Sequence, residues 1–423
     1  MLQVNVLRQK TDWVKERLAV KNFKQIELVD EIIAWDDERK KLQAEFDLLQ
    51  SKINSSSKEI GKLMAGGKKE EAEQLKTSIA EWKKLLEPVK QQSESIEKKL
   101  ADAIVLLPNL PAQIVPKGFA AEDNEVIKGG GTKPELSENA LPHWELTKKF
   151  KLIDFELGTK ITGSGFPVYT GKGAKLQRVL IQYFLDYNTG AGYTEIIPPF
   201  LVNEASAFAT GQLPDKEGQM YFANEDGFYL IPTSEVPLTN IYRDTIIKQD
   251  ELPVKMTAYS PCFRREAGSY GKDVRGLNRL HQFEKVEIVQ LVDAEKSYET
   301  LDEMVSHVEQ LLQTLQLPYR ILRLCGGDMS FASAITYDFE VYSAAQKRWL
   351  EVSSVSNFET YQSNRMKCRY KDEDGKNQLV HTLNGSSLAL PRIMACLLEN
   401  NQTENSIKLP PVLHKYFGAE KID

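Results

Sequence analysis

The chain has 423 residues, 41% apolar and 27% charged, with 17 Phe and 16 Tyr; this exceeds the ~100–200 residues of one ordinary domain and is too aromatic for a disordered chain. A net charge of −6 excludes whole-protein attraction to a polyanion, so contact with nucleic acid has to come from local basic patches. The four cysteines, Cys262, Cys325, Cys368 and Cys396, stand too far apart for a local zinc motif or disulfide framework. No run approaches the ~18 apolar residues of a membrane span, and the N-terminal stretch lacks the apolar block of a signal peptide. A cytoplasmic protein with no membrane contact is expected.

Residues 1–106 read as a helical hairpin. Core positions recur at 3-4 spacing through Ile32, Trp35, Arg39, Leu42, Phe46, Leu49, Ile53, Ser56, Ile60 and Leu63, a heptad seam. After Ala65-Gly66-Gly67 the pattern restarts at Ala72 and runs through Leu75, Ile79, Trp82, Leu86, Val89, Ser93, Ile96, Leu100 and Ala103. Two matched helices joined by a short glycine turn run antiparallel. At 1.5 Å per residue, about 35 residues give an arm of roughly 50 Å. Pro88 predicts a kink in the second helix. A coiled coil between two copies, or a piece of a larger bundle, is the alternative. Between Lys52 and Lys99, 11 lysines face 8 glutamates, so Lys58, Lys62, Lys68 and Lys69 suit a phosphate backbone, although a charged helix face is more often simply solvated.

A Pro- and Gly-rich stretch over 107–145 reads as a linker, and its Gly129-Gly130-Gly131-Thr132-Lys133 as a flexible connector, since it lacks the spacing of a phosphate-binding loop. The remaining part is then 146–423. Leu176, Val179, Leu180, Tyr183, Phe184 and Tyr187 share one helical face, and Tyr298 to Leu315 hold a second amphipathic helix. Alternating strands between them predict an α+β fold: an antiparallel sheet flanked by helices.

The most informative segment is Ser260 to Glu287, read as strand, long Gly-containing loop, strand. A period of two puts Arg264 and Glu266 on one face of the first strand, and Phe283 and Glu287 on one face of the second. Such a wall offers a guanidinium for a triphosphate, an aromatic plate for a base, and carboxylates for an amine or a hydroxyl. A surface hairpin with paired charges is the plainer alternative.

FRREAGSYGKDVRGLNRLHQFEKVE resembles motif 2 of class II aminoacyl-tRNA synthetases, in its seryl form. GYTEIIPPFLV resembles motif 1, and Asn384-Gly-Ser-Ser-Leu-Ala-Leu-Pro-Arg392 resembles motif 3. With the helical arm, Thr233-Ser-Glu235 and Glu351-Val-Ser-Ser354, the likeness to the seryl-tRNA synthetase family is end to end. It implies a class II catalytic domain with a coiled-coil tRNA-binding arm, activation of L-serine by ATP to seryl-adenylate with release of pyrophosphate, and transfer of serine to tRNA(Ser), or to tRNA(Sec) where the host has one. A homodimer built on motif 1 is also implied.

The same resemblance carries residue roles. Thr233 and Glu235 match the positions that hold the serine amino group, and Glu287 with Ser386 those beside the serine hydroxyl. Arg264 matches the arginine on the α-phosphate and serine carboxylate, and Glu266, with Arg265, the ATP contacts. Phe283 matches the adenine-stacking position and Arg392 the γ-phosphate arginine. Glu351 and Ser354 match the Mg²⁺ and phosphate positions, with Val352 and Ser353 in the same ATP-binding stretch. In the motif 2 loop, Lys272 stands where arginine is usual, and with Arg275 and Arg279 makes a basic loop suited to tRNA. Motif 3 has Ser387, Ala389 and Pro391 where glycines are common. The spacing of three between Glu351 and Ser354 does not put both on one face of a flat strand, so a bulge or strand end is required. Rival readings are another class II specificity, such as threonyl or prolyl, or a non-catalytic, RNA-binding relative that keeps the fold.

Overall fold

The computed structural model describes residues 1–215, 217–266 and 275–423. It divides into two compact units, 1–19 with 23–108, and 20–22 with 109–423.

In the first unit, two short helices, Val4–Gln9 and Thr11–Val20, precede helix α1 (Leu28–Ala65) and helix α2 (Lys69–Ile104). The turn between the long helices places Gly67 at φ +75°, a conformation that glycine adopts without steric cost. The seam is the one the heptads predict: Leu42, Leu49, Val89 and Ile96 form the buried core, flanked by Trp35, Phe46, Trp82 and Leu86. Small residues close the remaining layers, with Ser56, Ala72 and Ser93 buried. Helix α2 is continuous through Pro88, which lacks the N–H that would bond the Lys84 carbonyl.

The second unit is built on one eight-stranded sheet. Its strands are β1 (Glu125–Gly130), β2 (Thr194–Glu195), β3 (Val254–Phe263), β4 (Gln282–Val292), β5 (Tyr319–Arg323), β6 (Ile335–Ser343), β7 (Arg348–Asn357) and β8 (His381–Ala389). Their order across the sheet is β1-β5-β6-β7-β8-β4-β3-β2. Every neighbouring pair is antiparallel except β2 with β3. Three amphipathic helices bury their apolar faces against it: α3 (Gly171–Gly190), α5 (Ser297–Thr314) and α6 (Leu390–Asn400). Leu176, Leu180 and Phe184 of α3, Met304, Val308 and Leu312 of α5, and Ile393 and Leu397 of α6 share one core with Ile288, Phe339 and Val355 of the strands. The α+β expectation holds, and the sheet supplies the platform for everything below.

One expectation is corrected. Gly129 and Gly130 are not a flexible connector: they end edge strand β1, with Gly129 opposite Arg320 and Gly130 opposite Tyr319. Upstream, the Asn109 amide donates to the carbonyls of Ala332 and Phe358 at 2.8 Å each. The glycines are there because the edge passes directly over a ring. A Cβ on Gly130 would lie 2.6 Å from the Tyr319 hydroxyl. Composition alone reads glycine as freedom, whereas here it permits close approach. Gly130→Ala is therefore expected to cost about 1–3 kcal/mol in denaturant unfolding; a mobile connector would tolerate the change with no measurable loss.

Candidate functional site

Strand β4 is the spine of the site. Its period of two brings Phe283, Lys285 and Glu287 to one face. Glu287 is 1% exposed and Lys285 is 8% exposed in its side chain, and they form an ion pair at 2.6 Å. Thr233 donates its hydroxyl to the same Glu287 oxygen at 3.0 Å. On the neighbouring strand β8, Ser386 stands directly opposite Glu287.

A second buried carboxylate lies beside the first. Glu235 opens the short helix α4 (Glu235–Asn240), and its backbone N–H donates to the Thr233 hydroxyl at 3.2 Å. The Gln362 amide donates to the Glu235 carboxylate at 2.6 Å, and Thr382 donates to the Gln362 carbonyl oxygen at 2.6 Å. That second bond fixes the amide with its NH₂ toward Glu235. Burial, helped by the charge of Glu287, pushes the Glu235 carboxyl up to about 7 against the pull of Gln362, Lys285 and Arg264. Burial also raises Glu287, opposed by Lys285 and the Thr233 hydroxyl. Two desolvated carboxylates facing one ammonium leave negative charge in excess, which is what a substrate cation in that space would relieve.

The next group along departs from the strand that the sequence predicts. Strand β3 ends at Phe263, so Arg264 and Glu266 do not share a strand face. The ladder is left in two steps. The Arg264 N–H still donates to the His281 carbonyl at 2.9 Å, but the Arg265 N–H donates to Gln219 at 2.9 Å instead. Glu266 then turns to φ +49°, a left-handed backbone that a non-glycine residue adopts only when its surroundings impose it. Its carboxylate pairs with Arg279 at 3.2 Å. Arg264 still reaches the predicted wall by its side chain. Its guanidinium lies 5.2 Å from the Phe283 ring centre, and its Nε donates to the Pro232 carbonyl at 3.4 Å. Arg265 is exposed.

At the far end, β7 carries the bulge that the Glu351–Ser354 spacing requires. Phe339 pairs with Ser353 and Glu340 with Glu351, leaving Val352 as the extra residue. Val352 goes into the main core. The Ser353 hydroxyl donates to the Ser386 carbonyl at 2.6 Å. Neither side chain is thus on the open side with Glu351, which is exposed, and Ser354, which is half-buried. Arg392, third residue of α6, donates to the Glu351 carbonyl at 2.7 Å, lies 3.5 Å from the Glu351 carboxylate, and donates through Nε to the Asn278 carbonyl at 3.0 Å. Arg392 and Glu351 are therefore in direct contact, while Ser354 lies opposite Asp338 on β6.

Three residues were missed. Lys285 follows from the same parity that selects Phe283 and Glu287, so the signal was present. Asp338 on β6 pairs in register with Ser354; burial, then the charge of Glu351, raises its carboxyl well above the usual range, while the Ser354 hydroxyl bonds it. One of its oxygens is buried without a hydrogen-bond partner among the described residues. The alternation Tyr337-Asp-Phe-Glu-Val341 carries that acidic face openly. Gln362, on the short helix Tyr361–Met366, had no local signal, because its role exists only through contacts with Thr210, Glu235 and Thr382.

The basic residues chosen for RNA lie apart from this cluster in kind. Lys58, Lys62, Lys68 and Lys69 are exposed near the turn of the hairpin, with Lys68 also 2.9 Å from Glu71. The Arg275 guanidinium stacks 4.5 Å from Trp144. Arg279 is the partner of Glu266. Lys272 lies outside the described residues.

The chain's similarities to known proteins follow the same division. The Seryl-tRNA synthetase N-terminal domain matches residues 1–111, and the tRNA synthetase class II core domain (G, H, P, S and T) matches 220–401. A serine–tRNA ligase of Salinibacter ruber is 48% identical over 424 residues, covering 100% of this chain and 99% of its own length. That of Akkermansia muciniphila is 45% identical with the same coverage. The crystal structure of seryl-tRNA synthetase from Pyrococcus horikoshii complexed with ATP superposes with a TM-score of 0.93 at 31% identity, covering 100% of this chain and 99% of that one.

The raised Glu235 carboxyl has a measurable sign. A folded-state value near 7 against an ordinary 4.5 favours the folded protein below 4.5, and that contribution is lost as pH rises through about 7. Glu235→Gln removes the titration. In thermal melts its advantage over the parent should open between pH 4.5 and 7 and then level off, at about 1–3 kcal/mol. Parallel pH profiles for the two proteins would contradict the assignment.

Proposed function

The chain belongs to the seryl-tRNA synthetase family of ATP-dependent class II ligases, and we propose that it activates L-serine with ATP to seryl-adenylate and transfers the seryl group to tRNA(Ser), with tRNA(Sec) as a second acceptor in a host that has it. The observation that carries this reading is the buried Thr233–Glu235–Lys285–Glu287 cluster beneath Arg264 and Phe283. Two buried carboxylates and a hydroxyl beside one ammonium offer partners for the ammonium and the hydroxyl of serine.

Glu235 and Thr233 take the serine ammonium, and Glu287 accepts from the serine hydroxyl, with Ser386 beside it. A buried acceptor left unpaired penalises alanine. Arg264 holds the serine carboxylate and the α-phosphate together, Phe283 stacks on adenine, and Glu266 and Arg265 complete the ATP contacts, joined by the backbone of Val352 and Ser353. Arg392 faces the γ-phosphate. The donor set also fits Mg²⁺, which is ordinarily held by one or two carboxylates plus substrate phosphates. Glu351 and Ser354 would hold it, with the unpartnered oxygen of Asp338 adjacent, and it would supply positive charge to the phosphates.

In activation, a serine carboxylate oxygen attacks the α-phosphorus and pyrophosphate leaves. In transfer, a terminal ribose hydroxyl of tRNA attacks the seryl carbonyl and AMP leaves. In-line placement by Arg264 and charge stabilisation by Arg392 are the sources of rate, and no covalent enzyme nucleophile is used. The complete set of ionisable groups favours catalysis over a non-catalytic relative.

Lys58, Lys62, Lys68 and Lys69 on the arm, and Lys272, Arg275 and Arg279 of motif 2, take tRNA backbone. A homodimer is supported by uncovered apolar side chains in motif 1, with Ile197 85% and Leu201 49% exposed. No helix among the described residues is long and apolar enough to cross a membrane, which accords with a cytoplasmic setting.

The decisive assay is amino-acid-dependent exchange of labelled pyrophosphate into ATP. Serine should support it, and alanine, glycine, threonine and proline should not; exchange with none of them in folded protein given Mg²⁺ would overturn the enzyme reading. Glu287→Gln, which spares Lys285 a wholly absent partner, should lose roughly 100-fold or more in kcat/KM for serine. Replacing the four arm lysines by alanine should instead leave exchange within about twofold and raise KM for tRNA about tenfold or more, with a shallower salt dependence. Unchanged tRNA charging would remove the arm from the tRNA interface.

A further inference from the structure

The proposed chemistry leaves unused a fully buried imidazole. His143 is 0% exposed, as is Glu399 beside it. His143 Nε2 accepts from the Leu277 backbone N–H at 2.8 Å, so the ring proton sits on Nδ1, which donates to Glu399 Oε1 at 2.7 Å. The His143 backbone N–H donates to the same oxygen at 2.8 Å, the Gln346 amide does so at 3.0 Å, and Ser343 donates to the other oxygen. The carboxylate is therefore fully satisfied, and its geometry is fixed.

The network leads outward to the nucleotide end of the site. Gln346 accepts from the Asn278 side-chain amide at 3.0 Å, so both Leu277 and Asn278 are tied to Glu399, one through His143 and one through Gln346. The Asn278 carbonyl in turn accepts from Arg392 Nε at 3.0 Å. Glu399 and Arg392 lie on the same helix, α6, two turns apart. The result is a closed loop: Arg392, Asn278, Leu277, His143, Glu399 and back along the helix. Gly276 is required by it, since a Cβ there would lie 2.2 Å from His143 Nε2.

We infer that His143, with Gln346, is a positioning residue for Arg392: it pins the backbone at Leu277 and Asn278 so that the Asn278 carbonyl aims the guanidinium at the β,γ-phosphate end of ATP. A general packing role would not need this arrangement, because an apolar side chain fills a core without holding the Leu277 N–H and so directing the carbonyl of the next residue, Asn278. The inference rests on the assignment of Arg392 to the γ-phosphate. It predicts a defect confined to ligands that carry that phosphate.

The test compares wild type, His143→Phe, Gln346→Ala and Arg392→Ala. The measurements are dissociation constants for ATP and for AMP with Mg²⁺, KM for ATP and for serine in pyrophosphate exchange, and melting temperature. His143→Phe should weaken ATP by about tenfold, and Gln346→Ala by about three- to fivefold, with AMP affinity and the serine KM within about twofold of wild type. If ATP affinity is unchanged in a folded variant, or ATP, AMP and serine all weaken together, the inference is overturned; should His143→Phe not fold, Gln346→Ala decides by the same criteria. Arg392→Ala is the separate check: a variant that loses nothing specific to ATP over AMP would remove the reading of Arg392 itself, and the inference with it.

Discussion

Everything at the candidate site depends on one arrangement, the burial of two carboxylates around a single ammonium. Glu287 and Lys285 share β4 at 2.6 Å, and Glu235 is packed close enough for the charge of Glu287 to raise it further. Such a cluster is not there for stability, since a buried ion pair roughly breaks even against apolar packing and an extra buried carboxylate is a cost. It persists because the sheet around it is over-determined. Strand β4 is paired along its length with β3 on one side and β8 on the other, and Thr233 and Gln362 satisfy the carboxylates from two other elements. The strain is held locally and offset by the three-helix core.

A second constraint shapes the phosphate end. A regular β7 would put Glu351 and Ser354 on opposite faces. The extra residue at Val352 resolves this by entering the core, and Ser353 then closes across to Ser386. Ser386 is the residue opposite Glu287. The bulge is thus bonded directly to the strand opposite Glu287, so the two ends of the candidate site are held in register by this bond together with the β7–β8 ladder of Val355 with Gly385 and Ser356 with Asn384. Carboxylate and α-phosphorus have to meet in line, and a shift of 1 Å in either would cost about 10²-fold.

Much of this was legible in the sequence, for reasons that differ by element. The arm was readable because its partner lies in the same chain and its period persists over both helices. Phe283 and Glu287 were readable because a strand has a strict period of two, and the same arithmetic would have yielded Lys285. The need for a bulge between Glu351 and Ser354 came from that period as well. Failures occurred where a residue's role depends on distant partners. Glu266 leaves the strand because Gln219 captures the Arg265 N–H, and nothing near Glu266 announces it. Gln362 acts across the fold. Gly129 and Gly130 look like a hinge and are in fact a surface cut to fit Tyr319.

The distribution of charge separates the two tasks of the molecule physically. Thr233, Glu235, Lys285 and Glu287 are desolvated, so each interaction among them is worth more than in water and each group needs a partner. The arm works by the opposite principle. Its lysines are exposed and exceed the neighbouring glutamates by only three, so single contacts are weak and screened by salt, and recognition has to come from shape and the sum of many contacts. A chain of net −6 confines its attraction for polyanion to places where geometry can make use of it. On the proposed reading the buried cluster would discriminate a hydroxyl and the helical hairpin an RNA shape, and neither would need the energetics of the other.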